Sequence, residues 1–339
     1  MEESRGRRLR RRLRTVPTHL VMFLLVTVLA PAWLIVGLLI DVPRWLIRRR
    51  PFMALRLFAF GWVYIAVGVC CLAVVGWQWI AAGFGRDRSR MREGAYRLQE
   101  WWAGTLFGAV KRILGLTVSV EGLDRLSPGP VIVMMRHASI VDTLLPNVFV
   151  TREAGIRLRY VLKRELLSDP ALDIAGNRLI NHFVDRNGEP SVEVAAVLAL
   201  TEKMTEREGV LIYPEGTRFT ESRRLQILER LGERASDLAD RTRSLLRVLP
   251  PRPGGPTALL GTGHDVVIAA HTGLEPLATI PDAWSGSMVG AHISLRFERF
   301  SGAAIPPDRR GRVEWLFDRW AEVDEWVSAH QGGGPTGTG

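Results

Sequence analysis

The chain has 339 residues, 47% of them hydrophobic, and a formal net charge of +10. That is ample for a buried core and leaves room for a membrane part, so one catalytic-size domain plus an anchor is the simplest division. The charge is almost wholly arginine, because Lys111, Lys163 and Lys203 are the only lysines. Guanidinium forks bond phosphate, which favours anionic membrane lipids and phosphate-bearing ligands as partners. Nucleic acid is not favoured, since no zinc-ligand spacing, helix-turn-helix pattern or RNP-like aromatic motif occurs. Cys70 and Cys71, adjacent inside an apolar stretch, exclude a disulfide framework.

Residues 1–86 read as a basic N-terminus and a two-helix membrane anchor. From Thr15 to Ile40, and again from Leu57 to Gly85, no formally charged residue occurs. Each run exceeds the roughly 20 residues a bilayer-spanning helix needs. Trp33, Trp45, Trp62, Trp77 and Trp79 lie within or beside the runs, several where an interfacial ring is expected. A long first run followed directly by a second is at odds with a cleaved signal peptide. Arginines flank both runs: RGRRLRRRLR before the first, Arg44, Arg48, Arg49, Arg50 and Arg56 between them, and Arg86, Arg88, Arg90 and Arg92 after the second. A spanning hairpin puts the middle cluster on the wrong side by the positive-inside rule, whereas a re-entrant pair broken near Pro31 keeps every cluster at one face. Either arrangement returns the chain to its starting side, taken as cytoplasmic.

Residues 87–116 read as an amphipathic interfacial helix, with Trp101, Leu106, Phe107, Val110 and Leu114 close to helical spacing. A place on the membrane surface and a place against the globular domain both fit this stripe. From residue 117 to 330 strands alternate with helices. TVSVEG, VIVMM, RLRYVL, NHFV, VLIY, LLRVLP, VVIAA and AHISLRFE are short and rich in β-branched or apolar residues, which predicts strands. SVEVAAVLALTEKMTE, ESRRLQILERLGERASDLADRTRS and WLFDRWAEVDEWVSAH predict helices, the tryptophans of the last serving packing. The fold class expected is α/β, a buried central sheet flanked by helices and preceded by the anchor. GGGPTGTG closes the chain, and residues 331–339 are expected to be a disordered tail.

The chemistry starts at RHASIVDTLLP, residues 136–146, where the apolar run VIVMM leads into a histidine and an aspartate five positions apart. On an ideal helix that spacing turns through about 500°, so His137 and Asp142 converge only across a turn. Ser139 and Asp142 form a capping-box-like S-x-x-D, which predicts a helix starting at Ser139 with His137 just outside it. Asp142 can then hold one ring nitrogen while the other faces substrate as a general base. Alone, H-x-x-x-x-D is common by chance, and a capping aspartate beside a strand-end histidine is the favoured account of it.

Its company is YPEGTRF, residues 213–219, in which the strand VLIY runs into a turn. Gly216 lets the backbone approach a ligand, and free amides with the Arg218 fork suit a phosphate. FVDR supplies Arg186 at another strand end, where a solvated pairing with Asp185 accounts for it as well as a ligand does.

Together these stretches resemble the glycerolipid acyltransferase family, which includes the 1-acylglycerol-3-phosphate acyltransferases. RHASIVD is similar to its NHxSxxD motif, VLKREL to its KxEL stretch, FVDR to its second motif, YPEGTR to its EGTR motif and LPPRPGG to its proline-containing fourth block. The combination in this order is specific and covers roughly residues 115–328. LPPRPGG, AHISLRFERFSGAAIPPD and WLFDRWAEVDEWV resemble the branch of lysocardiolipin and related lysophospholipid acyltransferases. Two positions depart from the pattern: Arg136 stands in place of asparagine and adds charge beside the base, and Phe219 follows EGTR where serine is common.

The resemblance implies transfer of a fatty acyl group from a thioester, carried by coenzyme A or acyl carrier protein, to a free hydroxyl of a lysophospholipid. His137 takes the hydroxyl proton, Asp142 steadies the imidazolium, and the oxygen attacks the thioester carbonyl. Arg186, Glu215, Gly216, Thr217, Arg218 and Lys163 are the implied acceptor site, with Glu215 pairing an arginine or a substrate hydroxyl. No covalent intermediate is required, and no G-x-S-x-G elbow occurs. No cofactor and no metal are implied, because the other histidines show no ligand spacing. A lipid hydrolase using the same dyad on water and a silent phospholipid-binding protein are the readings from other classes. The oligomeric state is left open.

Overall fold

The computed structural model describes residues 4–185, 188–232, 236–278 and 280–331. In chain order the helices α1 to α4 span Arg5–Val28, Ala30–Arg48, Met53–Ala81 and Arg88–Leu114. Strands β1, β2 and β3 follow at Thr117–Glu121, Val131–Met135 and Arg157–Lys163, then α5 at Pro170–Gly176 and β4 at His182–Val184. Next come α6, Pro190–Ala199; β5, Glu208–Ile212; α7, Glu221–Leu231; α8, Asp237–Ser244; and α9, Gly254–Leu260. The last elements are β6, Asp265–Thr272; α10, Ile280–Ala283; β7, His292–Phe300; and α11, Arg309–His330.

Contacts divide the chain into two compact units, Met1–Gly115 with Leu162–Phe183, and Leu116–Val161 with Val184–Gly339. In the first, the apolar run from Thr15 to Ile40 is shared between α1 and α2 and changes helix at Leu29. Pro31, which lacks an amide donor, follows at once. Helices α2 and α3 are long and apolar enough to cross a membrane. They leave large apolar side chains bare, Ile47 at 79% and Trp77 at 69% exposure among them. Asp41 of α2 is fully buried, because its carboxylate caps α3 by accepting from the amides of Met53, Ala54 and Leu55 at 3.0–3.2 Å.

Segment 162–183 joins this unit through polar contacts. Asp169 caps α5 and takes the Tyr64 hydroxyl at 2.7 Å, while Arg178 donates to Gln78 and to the Val75 carbonyl. The sequence kept residues 117–330 together, but these contacts group 162–183 with the N-terminal helices. Helix α4 is capped by Asp87 and buries Leu106, Phe107, Val110 and Leu114 of the expected stripe. Trp101 remains 45% exposed.

The sheet has seven strands in the order β1-β7-β6-β2-β5-β3-β4. β2 lies at its centre, parallel to β5 on one side and to β6 on the other, and β3 is parallel to β5. All five residues of β2 are buried, which is why VIVMM is apolar without alternation. β7 runs antiparallel to β6 and parallel to β1. The parallel core sends the carboxyl ends of β2, β5 and β6 to one edge, where open α/β sheets place their ligands.

Three expectations are corrected. LLRVLP, residues 245–250, is not a strand, because the amides of Leu246, Arg247 and Val248 all donate to Asp324 of α11 instead of to a neighbouring strand. The helix predicted over 191–206 ends at Ala199, where Arg159 takes up the carbonyls of Leu200, Glu202 and Lys203. The stretch 221–244 is two helices, α7 and α8. The C-terminal helix starts earlier than its apolar pattern, at a cap made by Asp308, and Trp320 is completely buried in packing. Of the expected tail, residues 332–339 lie outside the described residues.

Candidate active site

After β2 the chain leaves the sheet at Arg136, and no regular helix starts at Ser139 as the sequence predicts. A 3-10 turn over Val141–Leu144 leads into a π-helical stretch, Pro146–Glu153. The S-x-x-D pattern nevertheless closes on itself. Ser139 Oγ accepts from the Val141 amide at 3.1 Å and donates to the Leu277 carbonyl at 3.0 Å. Asp142 Oδ2 accepts from the amides of Ala138 at 2.6 Å and Ser139 at 2.7 Å, and Oδ1 lies 2.9 Å from His137 Nδ1. One carboxylate therefore both caps the turn and holds the imidazole.

Asp142 is completely buried. Burial works to raise its pKa, but His137 and then His271 outweigh it and hold the carboxyl well below the ordinary range. An ionised carboxylate can only accept, so Nδ1 of His137 carries a proton, and in the neutral imidazole Nε2 then holds the lone pair. The His137 ring packs on Tyr213, with centroids 4.6 Å apart.

The turn after β5 is stitched to the same histidine. The His137 amide donates to Glu215 Oε1 at 3.1 Å, and its carbonyl accepts from the Phe219 amide at 2.7 Å. Glu215 is buried and also accepts from the Leu249 amide at 3.3 Å. Burial pushes its pKa up to about 8 against the pull of Arg136 and of these amides. Among the described residues its hydrogen-bond partners are thus backbone amides and not an arginine, one of the two partners that the sequence offered. Gly216 has φ +65, and a Cβ there would sit 3.0 Å from Arg252. Thr217 is buried, and Arg218 Nη1 donates to the Ala278 carbonyl at 2.7 Å.

Arg136 does not present its charge beside the base. It is fully buried and points into the structure, donating to the His271 carbonyl at 2.6 Å, to Glu275 Oε1 at 2.6 Å and to the Arg247 carbonyl at 2.8 Å. Glu275 is held down to about 2, because Arg136 outweighs the effect of burial.

His271 is a site residue that spacing rules pass over. It is completely buried near the end of β6, with Nε2 3.0 Å from the Arg136 carbonyl and 3.5 Å from Asp142 Oδ2. Its only signal is its place at the end of VVIAAHT, a third strand with its carboxyl end at the same edge.

His137, Asp142 and Glu215 are in direct contact, with Gly216, Thr217 and Arg218 continuing the same turn. Lys163 ends β3 within the other compact unit. Arg186 lies outside the described residues. Among the described residues no group of three or more His, Cys, Asp or Glu side chains is placed to hold a metal. The arrangement suits removal of a proton from a hydroxyl presented to His137 Nε2.

Residues 117–252 match the family model described as acyltransferase. No curated protein matches the sequence significantly. Among solved structures, the chain is similar to the 1-acyl-sn-glycerophosphate (LPA) acyltransferase PlsC from Thermotoga maritima. The TM-score is 0.54 at 16% sequence identity, over 82% of this chain and 98% of that one. At that identity the likeness speaks for the fold.

Proposed function

From the acyltransferase-family domain that this chain carries at residues 117–252, we propose a membrane-bound O-acyltransferase that moves a fatty acyl group from an acyl thioester to a free hydroxyl of a lysophospholipid. The acceptor proposed is 1-acylglycerol-3-phosphate, the substrate named for the PlsC enzyme of similar fold, which would yield phosphatidic acid. The donor is acyl-coenzyme A or acyl carrier protein. The observation that carries this reading is the 2.9 Å contact of His137 Nδ1 with a buried, ionised Asp142, which leaves Nε2 as a base at the carboxyl edge of the parallel strands.

The steps balance simply. Nε2 takes the proton of the acceptor hydroxyl as its oxygen attacks the thioester carbonyl, and Asp142 stabilises the imidazolium that forms. Collapse of the tetrahedral intermediate expels the thiolate, which recovers the proton from His137. Helices α2 and α3, with their bare apolar side chains, support membrane attachment, and the side proposed for the catalytic domain is the cytoplasmic one. The flanking arginines suit anionic lipid headgroups.

The test is a lipid-product assay of the full-length protein with a panel of lysophospholipids and a labelled acyl thioester. His137→Ala should lower transfer by about 10²–10⁴-fold, the usual contribution of general-base catalysis. Asp142→Asn should also lower it severely, by favouring the wrong tautomer. Release of free fatty acid without any acylated lipid would make the protein a hydrolase. Undiminished turnover in folded His137→Ala would remove His137 from the chemistry, and a folded parent without any turnover would leave a phospholipid-binding protein.

A further inference from the structure

We infer that Arg252 is a ligand of the acceptor's phosphate, seated on the same turn as Arg218. The inference rests on the proposed reading that the acceptor is a phosphate-bearing lysophospholipid.

Arg252 is fixed to the EGTR turn at two points. Its amide donates to the Pro214 carbonyl at 2.9 Å. Its side chain lies over Gly216, where an added Cβ would meet Cδ and Nε at 3.0 Å and Cζ at 3.3 Å. Glycine at 216 therefore meets two demands at once, a φ of +65 and a seat for this guanidinium. Glu215, the residue between these anchor points, touches the His137 amide, so Arg252 belongs to the shell around the base.

What the guanidinium bonds to sets it apart from its neighbours. Buried or half-buried arginines of this unit are spent on protein partners: Arg136 on Glu275, Arg159 on Glu208, Arg299 on Asp265. Arg218 has one arm on the Ala278 carbonyl. Arg252 is exposed, and no carboxylate, carbonyl or ring among the described residues engages its side chain. An unspent planar fork held against a bare glycine, two residues from a second arginine, matches a phosphate monoester through paired charge-assisted bonds.

The acceptor headgroup and the phosphates of coenzyme A share this chemistry, and kinetics separate them. Full-length parent, Arg252→Ala and Arg252→Lys proteins in phosphatidylcholine vesicles would be assayed with lysophosphatidate and with whichever of palmitoyl-coenzyme A or palmitoyl-acyl carrier protein gives the faster rate, each varied in turn. Arg252→Ala should raise the acceptor KM about tenfold to hundredfold while kcat changes less than about threefold and the donor KM is unmoved. Arg252→Lys should fall between, keeping the charge but losing the fork. An unchanged acceptor KM in active Arg252→Ala overturns the inference. So does a rise confined to the donor KM, which would assign Arg252 to coenzyme A. A parent protein that acylates other lipids but not lysophosphatidate would instead refute the proposed acceptor, and the inference with it.

Discussion

Asp142 and Glu215 are both buried carboxyls beside His137, and their environments drive them in opposite directions. Asp142 meets His137 Nδ1 and two amides, with His271 Nε2 at 3.5 Å, and stays ionised. Its folded pKa is depressed, so its stabilisation is present above the ordinary aspartate pKa and is lost as pH falls through the lower folded value. Glu215 has its pKa raised to about 8. The sign reverses for it: the folded state holds the proton more tightly, so its contribution is complete below the ordinary glutamate pKa and is lost as pH rises towards 8. The melting temperature of the parent, relative to that of Glu215→Gln, should therefore fall between about pH 5 and pH 8. Differential scanning fluorimetry across that range measures it. A constant difference would mean that Glu215 stays ionised in the fold.

At the scale of elements, α11 reaches the surroundings of His137 through a loop that has no regular structure. Asp324 accepts from the amides of Leu246 at 3.0 Å, Arg247 at 2.5 Å and Val248 at 2.9 Å. The loop so held offers the Arg247 carbonyl to Arg136 and the Leu249 amide to Glu215. Arg136 and Glu215 flank His137 in turn. Asp324→Ala should leave three amides without an acceptor, at about 1–3 kcal/mol for each that remains buried. Hydrogen exchange at Leu246–Val248 should accelerate and acyl transfer should fall, with Asp324→Asn intermediate because one carbonyl oxygen survives. Unaltered exchange in Asp324→Ala would show that the loop holds its shape without α11.

This loop also marks where sequence reasoning stops. LLRVLP has the composition of a strand, and what overrides composition is a carboxylate more than seventy positions away. VIVMM was legible because burial on both faces leaves its mark on every residue. The contact of His137 with Asp142 was legible because the two are five positions apart and meet across one turn. Arg136 could be recognised as a departure from the family pattern, but its inward direction depends on Glu275 and the Arg247 carbonyl, which no local pattern announces. His271 escaped for the same reason, since it acquires its place from a neighbouring strand.

For the molecule as a whole, the N-terminal helices are more than a tether. Arg11 and Arg12, two of the arginines that mark the first apolar run, are engaged by the fully buried carboxylate of Asp173 on α5, at 2.8 and 3.0 Å. These arginines hold Asp173 below the ordinary carboxyl range although burial opposes them. Removing one partner of a buried pair costs about 3–5 kcal/mol, and the partly exposed arginines put this case at the low end. Asp173→Ala in the full-length protein should thus lower the melting temperature while leaving recovery in the membrane fraction unchanged, because the apolar faces of α2 and α3 remain. Deleting residues 1–85 is more severe. It strips α4 of the α3 surface it packs on, leaves Asp173 without Arg11 and Arg12, and removes Tyr64 from Asp169. The truncated chain should leave the membrane fraction in large part and elute as aggregate in size-exclusion chromatography, with little acyl transfer. A monodisperse, active truncation would show that segment 162–183 folds without the helices it joins here, and full recovery in the membrane pellet would pass the anchoring to the surface around Trp101.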